Sequence, residues 1–151
     1  MYSRLHNSNI GSVSSATMRT EDLIPSFLWE LRHQEKLLKG HKGLIAEISE
    51  RMESEDYFES EEADYDLEDL FDALNEYCMP GFYFGAHPGD GTDYGYWLDE
   101  CFEHDFDGEK VSDLSEIEKG YTGEVLLVND HGNMSLYQCS KGRLYEIWSI
   151  V

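Results

Sequence analysis

The sequence predicts an α+β domain, and three observations carry that prediction. Between residues 20 and 78 the apolar side chains recur at helical spacing. Between 82 and 151 aromatic and β-branched runs alternate with Gly-containing turns. No segment repeats, and 151 residues suffice for one core. The expected architecture is about three N-terminal helices packed on a C-terminal antiparallel sheet of about five strands.

Residues 1–19 are rich in Ser and Asn and lack periodicity, so they read as a disordered leader ahead of a single domain over 20–151. Thr20 to Lys39 reads as the first helix, with Glu21 and Asp22 in its positive first turn. Pro25 suggests that its regular part starts a few residues later. Leu44, Ile45, Ile48 and Met52 make the stripe of a second helix over 42–53. The acidic run 54–64 reads as a partly ordered loop. Asp66 then caps a third helix whose stripe is Leu67, Leu70, Phe71, Leu74, Tyr77 and Cys78. Strands are expected at 82–86 and 94–98, joined by HPGDGT, where Pro88-Gly89 suits a type II turn. Residues 99–120 read as irregular, with a short helix near 112–119. Three more strands are expected at 124–129, 133–139 and 143–151, reversed at Asp130-His131-Gly132 and Ser140-Lys141-Gly142.

Charge is the outlying property. Thirty-two acidic and eleven basic side chains give −21. From Met52 to Asp107 there are 19 Asp and Glu and no Lys or Arg. Such a surface disfavours direct binding to nucleic acid or to anionic membrane, because both require basic groups. It suits a basic protein surface. The candidate partner-binding residues are therefore Glu55, Asp56, Glu61, Glu62, Asp66, Glu68, Asp69, Asp72, Glu76, Asp105 and Asp107, with Tyr57, Phe58 and Tyr65 supplying aromatic contact area.

Other constellations are weaker. The glycine-rich loop over 85–92 lacks the Lys of a phosphate-binding loop, and a strand rather than a helix comes after it. Residues 103–108 alternate oxygen ligands as a calcium loop does, but the twelfth position is Leu114. Cys101-x-x-His104 is the one tight Cys/His pair, and zinc needs three or four ligands. No metal or other cofactor is expected. An alternative site, metal-supported or hydrolytic, is the pair of loop tips carrying His87, Asp90, Asp93, Asp130 and His131, if both tips lie at one end of a common sheet. Three cysteines without C-x-x-C fit a reducing cytoplasm, and no stretch is apolar enough to span a membrane.

The segments FGAHPGDGTDYGYW (84–97), VNDHGNMSLY (128–137), EIWSIV (146–151) and TEDLIPSFLWEL (20–31) resemble small acidic proteins encoded by bacteriophages and prophages. The resemblance transfers no site residue. It implies a phage-type setting, in which small acidic proteins block host nucleases, restriction enzymes or CRISPR complexes. The expected function is thus a non-catalytic inhibitor that mimics nucleic acid in a basic groove of a host protein. A structural or oligomeric phage component is the further alternative.

Overall fold

The computed structural model describes residues 9–150. They are α+β, with four α-helices and two sheets among the described residues. Contacts group them into two compact units, Asn9–Leu98 and residues 99–150.

In the first unit, strand β1 (Gly11–Ser14) precedes α1 (Thr20–Arg32), α2 (Lys39–Arg51), α3 (Glu61–Asn75), β2 (Phe82–His87) and β3 (Asp90–Leu98). The sheet order is β1-β3-β2, all antiparallel. The helices bury their stripes against this small sheet. Leu23, Ile24, Phe27, Leu28 and Leu31 of α1 join Ile45 and Ile48 of α2, Leu70 and Leu74 of α3, and Phe84 and Tyr96 of the sheet in one core. Burial of that apolar surface supplies most of the driving force.

In the second unit, α4 (Phe102–Asp105) precedes β4 (Glu109–Val111), β5 (Gly123–Val128), β6 (Met134–Ser140) and β7 (Arg143–Ile150). The order is β4-β5-β6-β7, with β4 parallel to β5 and the other pairs antiparallel. Val111, Val125 and Cys139 form a small buried cluster with Ile117 and Tyr121 against it. On β7, Trp148 is buried, and the Phe102 ring lies 5.6 Å from its ring.

Several expectations change. The strands form two sheets rather than one of five, because periodicity marks strands without saying which of them pair. The three long helices pack on the three-stranded sheet of the first unit, whose β2 and β3 are two of the five expected strands. Part of the expected leader is ordered as β1. Its sequence, GSVS, lacks hydrophobic alternation, but an edge strand is held by its backbone. Helix α1 begins at Thr20 and runs through Pro25, since its buried face anchors both sides of the proline. It ends at Arg32, where Gln34 turns inward and donates to the Tyr96 hydroxyl at 2.8 Å. Helix α3 starts at Glu61 rather than Asp66. Ser60 caps it, its hydroxyl accepting from the Ala63 amide, and Glu61, Glu62 and Asp64 suit the positive first turn. The HPGDGT connection tightens to a two-residue reversal at Pro88-Gly89, with His87 opposite Asp90.

Gly95 explains how β1 reaches its place. A Cβ there would overlap the Gly11 carbonyl oxygen and lie 2.8 Å from both the Gly11 carbonyl carbon and Ser12 Cα. These are backbone atoms, so Gly95→Ala must push β1 away. The expected cost is about 1–3 kcal/mol, with faster proteolysis around residues 9–19 and an unchanged helical circular dichroism. Unaltered proteolysis would mean that β1 accommodates the methyl group.

The opposite edge, β2, is closed by the protein's own side chains. The Asn75 amide accepts from the Phe84 N–H at 2.9 Å and donates to the Phe84 carbonyl at 3.2 Å. The Tyr83 hydroxyl donates to the Ala86 carbonyl at 2.7 Å. Such capping blocks edge-to-edge pairing with another chain.

Candidate functional site

The candidate site is the outward face of α3, and the sequence dictates its composition. The helix buries Ala63, Asp66, Leu70, Ala73 and Leu74, with Leu67 and Phe71 half-buried beside them. The acidic residues between these positions point to water. Glu61, Glu62, Asp64, Glu68, Asp69 and Asp72 are exposed, as is Glu76 at the C-cap. Tyr65, 63% exposed, stands in the middle of the carboxylates. Over a helix of 15 residues these seven charges span about 22 Å, or roughly 3 Å of axis per charge. One strand of duplex nucleic acid carries a phosphate about every 3.4 Å.

Two contacts lie along this face. His41 Nε2 is 2.7 Å from Glu76, and Arg51 Nε is 3.9 Å from Glu62. The last turn of α3 carries no basic residue, so Asp72 and Glu76 face the negative end of the helix dipole.

Asp66 is not part of the surface. It is 4% exposed and is held by three bonds. Arg51 donates from Nε at 2.9 Å and from Nη2 at 2.7 Å, and the Tyr57 hydroxyl donates at 2.6 Å. The hydrogen bond to Asp66 raises the Arg51 pKa above its ordinary value. Burial, then the same carboxylate, raises that of the Tyr57 hydroxyl. Tyr57 is itself buried, and Phe58 is half-buried with its ring 5.1 Å from that of Tyr57, so neither is an exposed anchor. Arg51 and Asp66 together join α2 to α3, with Tyr57 on the connecting turn bonded to the same carboxylate, and fix the direction in which the acidic face points.

The other acidic candidates are scattered. Glu55 and Asp56 are exposed on the turn before α3, with Asp56 accepting from the Ser54 hydroxyl at 2.8 Å. Asp105 and Asp107 are exposed but belong to the second unit, and His104 Nδ1 lies 3.0 Å from Asp105.

The loop-tip residues fall on two different sheets. His87, Asp90 and Asp93 lie on the β2–β3 hairpin, and Asp130 and His131 on the β5–β6 turn. Each hairpin uses its polar groups to shape itself. His87 Nδ1 accepts from the Gly89 N–H at 2.9 Å, and its ring meets Trp97 edge-on at 4.6 Å. Asp90 accepts from the Thr92 N–H and hydroxyl, which hold its carboxyl below the usual range. Asp93 accepts from the Ser12 hydroxyl. In the second hairpin the Asn129 side chain accepts from the His131 and Asn133 amides. Among the described residues, no group of three or more His, Cys, Asp or Glu side chains is placed to hold a metal ion.

Two features escaped the sequence reading. Asp64 joins the acidic face because α3 begins earlier than expected. The Arg51–Asp66 pair had one signal, that Arg51 is the last Lys or Arg before a 58-residue stretch without either. Among the described residues, no helix is long and apolar enough to cross a membrane. Comparison with family models, curated proteins and solved structures returns no match.

Proposed function

We propose that this protein is a non-catalytic, phage-type inhibitor that mimics nucleic acid, presenting the carboxylates of α3 to a basic groove of a host nucleic-acid-binding or defence protein. The observation that carries this reading is the spacing of charge along α3, about that of one nucleic-acid strand. The burial of Asp66 against Arg51 supports it, because a rigid helix presents charge without further loss of ordering entropy. Tyr65 adds an aromatic contact where guanidinium groups of a basic groove can stack.

The test replaces Glu68, Asp69, Asp72 and Glu76 by Gln or Asn. Affinity capture from a bacterial lysate is compared for both proteins at low and high salt. The wild type is expected to retain a nucleic-acid-binding protein that high salt or added nucleic acid releases, and the neutralised variant to retain none. Stability should stay within about 1 kcal/mol, since relief at the helix C-terminus offsets loss of the Glu76–His41 contact, whose carboxylate is exposed. Equal capture by both proteins would remove α3 as the contact.

A further inference from the structure

We propose that a basic corner at the end of α1 and the start of α2 docks the acidic face of α3 from a second copy of this chain, in a head-to-tail assembly. This contact does not rest on any host partner. Residues 31–46 carry four Lys and Arg and one Glu, a net of +3 in a chain of −21. Arg32, Lys36, Lys39 and Lys42 are all exposed. Helix α2 starts at Lys39 with no side-chain cap and no acidic residue in its first turn. Lysines there oppose the positive end of the helix dipole, and an incoming carboxylate relieves both.

The two faces also match in apolar content. Trp29, 59% exposed, stacks on His33 with ring centroids 4.0 Å apart and lies beside the basic corner in sequence and on α1. Tyr65 occupies the middle of the acidic face. Exposed aromatics ringed by opposite charges are the usual make-up of a contact centre. The corner adjoins the C-terminal end of α3 through His41, which touches Glu76 and the Tyr77 hydroxyl. The basic corner thus lies beside the C-terminal end of the acidic helix in the same unit. Both faces are exposed on the first unit, so the corner of one copy is open to the acidic face of another. Net repulsion between copies is screened beyond about 8 Å at ~0.15 M salt, while contacting charges still attract. Because the faces differ, the contact is heterologous and builds a ring or an open chain of copies.

Sedimentation velocity over a concentration series tests this with the full chain. The wild type is expected to gain mass with concentration at ~0.15 M salt and to return to monomer at ~1 M. Lys36→Gln/Lys39→Gln/Lys42→Gln and Glu68→Gln/Asp69→Asn/Asp72→Asn should each be monomeric alone. Mixed, they retain one intact corner and one intact acidic face, and should form 1:1 pairs that grow no further. Helical circular dichroism establishes that each is folded, and Lys→Ala versions at positions 36, 39 and 42 replace the first set if it is not. A wild type that stays monomeric, a variant that associates alone as the wild type does, or a mixture that forms no pairs would overturn the proposal.

Discussion

Arg51→Met is expected to lose about 3 kcal/mol of stability, the lower end of the cost of removing one partner from a buried ion pair. Asp66 would keep its burial and the Tyr57 hydrogen bond but lose both bonds from the guanidinium. The lower end applies because the Arg51 side chain is 33% exposed, which screens part of its attraction. Adding Asp66→Asn should recover most of the loss, since it removes the uncompensated charge and leaves an amide oxygen for Tyr57. Urea denaturation monitored by helical circular dichroism measures both, and the double-mutant cycle isolates the pair. A loss below about 1 kcal/mol for Arg51→Met would mean that water reaches Asp66. The same carboxylate change at Glu68 or Asp69, one turn or less away but exposed, should be nearly neutral.

Phe27→Ala is expected to cost about 3–5 kcal/mol, the range for emptying a buried aromatic site. Phe27 has no exposed surface and meets Phe71, Phe84 and Tyr94 edge-on, with ring centroids at 5.1, 5.0 and 6.0 Å. Removing it takes a shared partner from α3, β2 and β3 together. Trp29→Ala, two residues further on, is the matched control. Trp29 is the larger side chain but is 59% exposed, and its loss should stay within about 0.5 kcal/mol. The denaturation midpoint of the helical signal checks both. Equal effects would mean that the core of the first unit is not centred on Phe27.

How legible this was depends on where each signal lies. The stripe of α1 and that of α3 are local, repeating within three or four residues, and both helices arise from them. The three C-terminal strands are delimited by turns at Asp130-His131-Gly132 and Ser140-Lys141-Gly142, where Gly132, Lys141 and Gly142 adopt positive φ. The acidic face of α3 was legible in large part because its residues are close together in the chain. The hidden features depend on distant partners. Asp66 looks like its acidic neighbours until Arg51, fifteen residues earlier, is brought beside it. Strand β4 has three residues and a parallel neighbour beyond a crossover, so no alternation announces it. Ser60 as a cap was masked by the like-charged run around it, which reads as a solvated loop.

The position of β1 has a consequence for synthesis. Gly11 pairs with Tyr96, so the first strand of the sheet to leave the ribosome waits for its partner through roughly 85 further residues. At about 5–20 residues per second that is on the order of 4–17 s. The three helices can pack on one another in the interval, before β3 emerges to pair with both edges. A strand that must wait unpaired is safest when it is polar. GSVS has one apolar side chain in four, so it offers little for another nascent chain to collect before β3 arrives.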